Sequence, residues 1–284
     1  MNLNFIDLNF IDLDSILLSQ KNRIIHQVWF GTIPNKRIAK KAYQKLKLYR
    51  NSWKVKNPTW YIIEWNKNMC VELIKTFYQE HLEMFKKYSY EIQRCDMVRY
   101  LILHRYGGWY ADMDYYCNRP LDEAMAVYDN NIYFVQSPNG VIGQDHDHIS
   151  NSLMYSTKNH PFWRQVLLEM EKVRDISYYY TKHLDVMFKT GPGMLNHVYS
   201  TYKYRYKVKS LPWKLFHPYG IKDEKMLLKD DKEVFAIHLG KGSWENNDSK
   251  FLLFCVRDWK ILLFIVFMFI CMVIFRYYNF FHNF

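Results

Sequence analysis

The sequence predicts a mixed α/β domain, and three observations carry that prediction. An early strand, helix and second strand follow one another at βαβ spacing, a later helix turns into a strand across two glycines, and that strand ends in paired carboxylates. The first strand, Ile24-Ile25-His26-Gln27-Val28-Trp29-Phe30, closes on Gly31 and reads as a buried strand entering a loop. Basic helical sequence covers residues 36–54. Asn57-Pro58-Thr59-Trp60 then leads into a second buried strand, Tyr61-Ile62-Ile63-Glu64-Trp65-Asn66. Strands so spaced pair in parallel. In open α/β sheets ligands sit beyond the carboxyl ends of the strands, which puts His26, Gln27, Trp29 and Gly31 near a bound ligand. A core strand with an incidental histidine is the plain alternative.

The chain is organised around residues 94–120. Over residues 95–106 the apolar positions Val98, Leu101, Ile102 and Tyr106 keep a helical period, and Gly107 and Gly108 stand where a helix stops in the left-handed region. After them the period becomes two. Tyr110, Asp112 and Asp114 then share one face of an extended chain, and Trp109, Ala111 and Met113 the other. At about 3.3 Å per residue the two aspartates are about 7 Å apart along the backbone. Two hard oxygen donors that leave room for water and phosphate suit Mn2+ or Mg2+. Asp96 and Arg99, three apart on the helix, project from one flank and offer a carboxylate for a hydroxyl and a guanidinium for a phosphate.

Arg94-Cys95-Asp96-Met97-Val98-Arg99-Tyr100, followed by Gly107-Gly108-Trp109-Tyr110-Ala111-Asp112-Met113-Asp114, resembles the DXD sugar-binding segment of glycosyltransferase family 32. That family includes fungal initiating mannosyltransferases and inositol phosphoceramide mannosyltransferases, and the segment is more distantly similar to the glucosylating domains of the large clostridial toxins. Cys95 stands where the family usually has Ser, and Trp109 where it has a small or aliphatic residue; the charged positions are intact. A bare Asp-x-Asp is common in acidic loops, whereas the full Asp-x-x-Arg, Gly-Gly-x-Tyr-x-Asp-x-Asp array is specific.

The resemblance implies a GT-A-like (Rossmann-like) nucleotide-diphospho-sugar transferase over residues 21–250. Asp112 and Asp114 would hold the metal, Asp96 would orient sugar hydroxyls, Arg99 would pair with phosphate or sugar oxygens, and Tyr110 would pack under the donor. His26, Gln27 and Trp29 match the family's opening strand. Asn151 matches a donor-sugar contact, and Gly191 lies in a Thr-Gly-Pro turn that opens a helix where backbone amides can meet anions. His238 ends a late strand, 234–238, and would help hold the metal or pyrophosphate. Trp244, in the Ser-Trp that closes the family's catalytic domain, would cover the leaving group. A packing role is the ordinary alternative for such a tryptophan.

Residues 131–136 read as a further strand, and His160-Pro161 opens an amphipathic helix through Val173. Asn66 is either a base contact or a turn residue. The run Gly143-Gln144-Asp145-His146-Asp147-His148 is either a solvated, acceptor-facing loop or a metal site, and it lacks a second ligand pair upstream. The direct repeat within residues 1–20 is too short for a solenoid, and its aspartates argue against a cleaved signal peptide, leaving an N-terminal packing segment.

The chain's 284 residues permit one large domain and an appendage, and the 18% aromatic content supplies a sizeable core. The net charge of +11 points to anionic partners such as nucleotide diphosphates or phospholipid headgroups. No arginine-rich stripe or nucleic-acid module accompanies it, so nucleic acid is not an expected partner. Five cysteines without CxxC spacing demand no oxidising compartment. Residues 261–275 form an apolar run of fifteen between Lys260 and Arg276. At about 1.5 Å per residue this gives some 22 Å, and Trp259 and the aromatics after Arg276 lengthen it through the interface. This predicts a C-terminal transmembrane helix, residues 257–280, as a single-pass anchor in an endoplasmic reticulum or Golgi type membrane. Charge distribution favours a cytosolic domain and the family's secretory members a lumenal one.

The expected activity is therefore a retaining, metal-dependent hexosyl transfer, foremost mannose from GDP-mannose to a lipid-linked or glycan acceptor such as an inositol phosphoceramide. Transfer from UDP-glucose or UDP-galactose and a catalytically inactive sugar-nucleotide-binding membrane protein are the alternatives.

Overall fold

The computed structural model describes residues 10–20, 23–31, 36–127, 131–137, 148–176, 181–218, 232–240, 247–249, 251, 255 and 259–282. The opening βαβ unit forms as the sequence predicts. β1 (Ile24–Val28) is buried along its whole length and pairs in parallel with β2 (Tyr61–Trp65), the two joined through α2 (Lys36–Lys56). β1 also pairs in parallel with β3 (Gly108–Ala111), His26 lying opposite Tyr110. The chain after β1 and the chain after β3 therefore leave the sheet at the same edge.

The rest of the sheet is antiparallel or returns. β6 (Ile149–Ser156) runs antiparallel to both β3 and β5 (Ile132–Gln136), and β7 (Lys209–Leu211) closes the edge in parallel with β5. The order is β2-β1-β3-β6-β5-β7, a mixed sheet. A separate ribbon pairs β4 (Tyr115–Cys117) with β8 (Ala236–His238).

Helices cover both faces. Ile24, Val28 and Ile63 share one core with α1 (Phe10–Ser19), α3 (Lys67–Phe77), α4 (Leu82–Lys87), α5 (Glu91–Tyr106), α7 (Phe162–Val173) and α9 (Pro192–Tyr202), and α8 (Lys182–Lys189) packs against α9. Ile25, Trp109, Tyr133 and Tyr155 share another with Trp53 of α2, Leu121 and Ala124 of α6 (Leu121–Val127) and Phe216 of α10 (Trp213–Phe216). This is the alternation of inward residues in a sheet covered on both sides. Trp53, Trp65, Trp109 and Trp163 are fully buried. Each removes on the order of 200 Å² from water, so the aromatic content goes largely into the core. The N-terminal segment joins it through Leu13 and Leu17, and Arg105 grips Asp14 with two bonds of 3.0 and 2.7 Å. Among the described residues all five cysteines are free.

Two expectations need correction. The strand after the glycines stops at Ala111, and Asp112, Met113 and Asp114 form a turn in which Tyr115 N–H donates to the Asp112 carbonyl at 3.1 Å. The turn lets the chain leave the main sheet for the β4–β8 ribbon, so the acidic pair does not alternate along one strand face. At the other end of the chain, α11 (Trp259–His282) is a single helix of 24 residues. Yet among the described residues no helix is long and apolar enough to cross a membrane. The C-terminal transmembrane helix expected over residues 257–280 is therefore not supported.

Candidate active site

The helix and the turn that carry the charged residues meet through glycine. Gly107 ends α5 by donating its N–H to Leu103 O at 3.0 Å, and Gly107 and Gly108 take φ of 67° and 85°. A side chain is strained at either position. The reversal lays β3 along α5 and brings Asp112 back beside Arg99.

Arg99 is the centre of the charged cluster. Its side chain is 4% exposed, with ion pairs to Asp96 at 3.2 Å and to Asp112 at 3.0 Å and a bond to Asn151 O at 2.9 Å. The guanidinium lies over the Tyr110 ring at 4.7 Å, and Tyr110 donates its hydroxyl to Asp112 at 2.7 Å. Asp96 also accepts from Asn151 at 3.0 Å and from Thr190 at 2.9 Å. Burial pushes the Asp96 carboxyl up to about 6 against the pull of Arg99. Arg99 keeps its proton: burial works against it, but Asp112, Tyr110 and Asp96 more than offset that.

Beyond Asp112 the cluster opens. Ligand atoms of Asp112, Asp114 and His238 all lie within 4.8 Å of one another. Arg99 and Tyr110 both bond Oδ1 of Asp112, so neither occupies Oδ2. β8 delivers His238 because Tyr115 pairs with it in the ribbon, and the two rings stack at 4.4 Å and 5°. His238 Nε2 sits 3.2 Å from Asp114, and Nδ1 sits 2.7 Å from Nε2 of His217. Burial lowers the His238 pKa, but the Asp114 carboxylate outweighs it and the net shift is upward. Burial and the neighbouring His238 depress His217 to about 4. Two carboxylates and an imidazole at this separation fit a Mn2+-type cation, which binds through few protein ligands and completes its shell with water or phosphate oxygen.

The structure thus brings together Asp96, Arg99, Asp112, Asp114, Tyr110, Asn151 and His238. Tyr110 and Asn151 are buried and contact carboxylates of the cluster. Gly191 adjoins Thr190 and caps α9, its own N–H taken by Val186 O at 2.8 Å; a Cβ there would meet that oxygen at 2.9 Å. Trp29 follows β1, stacks on Tyr43 at 6.0 Å and packs against the cluster that contains Met113 and Ile237. Gln27 is buried on β1, and among the described residues neither of its amide atoms finds a hydrogen-bond partner. Asn66 caps α3, accepting from Met69 N–H at 3.0 Å. Trp244 and residues 145–147 lie outside the described residues.

His26 faces the core. Trp65 Nε1 donates to its Nδ1 at 3.1 Å, so its proton is on Nε2, which donates to Gly107 O at 3.0 Å. The imidazole therefore pins the glycine reversal. Burial lowers its pKa to about 3. The unfolded chain takes up this proton below about pH 6.5 and the folded chain does not, so His26 costs stability as pH falls from about 6.5 toward 3, by about 1.4 kcal/mol per unit. Urea midpoints at pH 6.5 and 4.5 are expected to fall further for the wild type than for His26→Gln, and equal shifts would contradict this role.

Sequence reasoning missed three participants. Tyr100 donates to Thr190 O at 2.8 Å, Ser152 O accepts Asp112 N–H at 2.8 Å, and His217 backs His238. β6, which carries Asn151 and Ser152, gives no clear strand signal because Asn and Ser interrupt its apolar pattern. No spacing signal links His217 to a partner 21 residues away.

The site thus sets a helix-borne carboxylate and arginine behind an Asp-x-Asp turn with a histidine facing it. Residues 44–132 match the family described as the glycosyltransferase sugar-binding region containing the DXD motif, and the chain carries that region. Inositol phosphoceramide mannosyltransferase 3 of Schizosaccharomyces pombe is 30% identical over 249 residues, covering 87% of this chain and 62% of that protein. Mannosyl phosphorylinositol ceramide synthase SUR1 of Saccharomyces cerevisiae is 34% identical over 149 residues, covering 52% and 35%. The chain spans less than two thirds of the length of these curated relatives. Among solved structures, the PaToxG glycosyltransferase aligns over 68% of this chain and 74% of its own, at 14% identity and TM-score 0.43. At that level no residue correspondence is drawn from it.

Proposed function

We propose that this chain is a metal-dependent retaining glycosyltransferase of GT-A-like fold that moves mannose from GDP-mannose to a lipid-linked acceptor of the inositol phosphoceramide kind. The observation that carries the reading is the convergence of Asp112, Asp114 and His238 in front of the Asp96–Arg99 pair. The names of the relatives supply the sugar and the acceptor. Mn2+ or Mg2+ bound there would neutralise charge on the diphosphate as it leaves. Arg99 and Tyr110 hold Asp112 in place, and Asp114 and His238 would supply the remaining protein ligands. Asp96, fixed by Thr190 and Asn151, borders the place for the sugar.

Among the described residues no carboxylate of the cluster is left as a nucleophile: Asp96 is 3% exposed and held by three side chains, and the other two serve the metal. The acceptor hydroxyl then attacks the anomeric carbon on the face the diphosphate leaves, its oxygen forming the new bond as the carbon–phosphate-oxygen bond breaks. Its proton passes to the departing phosphate oxygen, and configuration is retained. A trapped covalent glycosyl-enzyme would rule this out.

Membrane attachment through α11 belongs to the same reading. Leu263, Phe264, Phe267, Phe269 and Ile274 are each about 60% exposed, and apolar surface on that scale marks a lipid or protein contact. The catalytic domain, residues 21–250, would then work beside its acceptor in an endoplasmic reticulum or Golgi type membrane.

The test is transfer by the full chain in detergent, with GDP-mannose, UDP-glucose and UDP-galactose offered to an inositol phosphoceramide and the products weighed by mass spectrometry. A hexose added from GDP-mannose alone is expected. Product from a UDP-sugar alone would replace the donor, and donor binding without transfer to any acceptor would favour a binding protein.

A further inference from the structure

We propose that His217 is the positioning residue for the metal ligand His238: its Nε2 accepts the Nδ1–H of His238 and so turns Nε2 of His238 toward Asp112 and Asp114. The assignment rests on the metal reading above and adds the residue that orients the nitrogen ligand.

Two contacts fix the His238 ring. Stacking on Tyr115 at 4.4 Å and 5° sets its plane, but leaves it free to present either nitrogen to the carboxylates. The 2.7 Å contact with His217 removes that freedom. An imidazole that gives Nε2 to a cation carries its proton on Nδ1, and that proton needs an acceptor. His217 Nε2 is the acceptor in place, while Nε2 of His238 stands 3.2 Å from Asp114.

His217 is itself held for the task. It caps α10 through a backbone bond to Trp213 O at 2.6 Å, presents its ring edge-on to Tyr115 at 6.3 Å and 83°, and is 5% exposed. Among the described residues Nδ1 has no partner in another residue, and Nε2 makes its side-chain hydrogen bond to His238. An imidazole acceptor, unlike a carboxylate, orients the ligand without adding a negative charge behind the metal. A histidine at this position whose role was only to fill space would be served equally well by an apolar ring.

Mn2+ affinity, read from the free-ion paramagnetic resonance signal during titration of the full chain in detergent, tests this without any turnover. His217→Phe keeps the ring and removes the acceptor; His217→Gln keeps an acceptor oxygen. The Phe variant is expected to bind Mn2+ about 10- to 100-fold more weakly than wild type. The Gln variant is expected to recover most of that loss, with metal-free melting temperatures of the two variants alike. Should His217→Phe fail to fold, His217→Leu takes its place in the comparison. Wild-type affinity in the variant lacking the acceptor overturns the proposal, as does equal weakening in the Gln variant. If wild type itself binds no Mn2+, the metal reading falls and takes this assignment with it; weakening in the acceptor-deficient variant alone supports both.

Discussion

Asp112→Asn and Asp114→Asn are each expected to lower turnover by at least about 10³-fold, the kinetic equivalent of about 4 kcal/mol of lost transition-state stabilisation. Both substitutions keep the side chain's size and one acceptor oxygen while removing the negative charge offered to the cation. The two need not behave alike in the absence of donor. Asp112 also anchors Arg99 and Tyr110, with bonds of 3.0 and 2.7 Å, whereas Asp114 meets His238 at 3.2 Å. Asp112→Asn should therefore disturb the fold around α5 as well, and Asp114→Asn should leave thermal stability nearer to wild type. Steady-state turnover with saturating Mn2+, set beside melting curves, separates the two effects. Retention of more than a tenth of wild-type activity in either variant would remove that carboxylate from the metal site.

The second large effect is on stability. Arg99→Met is expected to destabilise the fold by about 3–5 kcal/mol, because it strands two carboxylates around a buried position. In a chain of this size the melting temperature should fall by about 10 °C. The cause is checkable: in the Arg99→Met background, the second change Asp96→Asn should restore part of the loss, since Asp96 is the more buried carboxylate and its pKa already stands at about 6. A double variant no more stable than the single one would show that the loss comes from packing against Tyr110 rather than from stranded charge.

Much of this was legible in the chain. Ile24 to Val28 and Tyr61 to Trp65 announce buried strands, and the distance between them admits only a crossover helix. The glycine pair marks the reversal because two successive residues there need positive φ. The acidic pair was visible as chemistry, but its geometry was not. Strand alternation extrapolated through Asp112 and Asp114 misses the turn, because what bends the chain is the distant pairing of β4 with β8. The same limit hid His217, which reaches His238 only through the ribbon. His26 shows the opposite case: its place at the end of a strand suggested a ligand, while Trp65 and Gly107, distant in sequence, claim both of its nitrogens. In α11 fifteen apolar residues in a row suggested a membrane span, yet the run of about 22 Å falls short of the roughly 30 Å hydrocarbon core.

The central claim is that Asp112, Asp114 and His238 hold a cation that engages the donor diphosphate. Titration calorimetry of GDP into the full chain, with and without Mn2+, tests it most directly, with Asp114→Asn beside the wild type. The account predicts that Mn2+ tightens GDP binding to wild type by at least about tenfold, about 1.4 kcal/mol of coupling, and leaves binding to Asp114→Asn unchanged. GDP binding that is indifferent to Mn2+ in wild type, or equally enhanced in the variant, would contradict it.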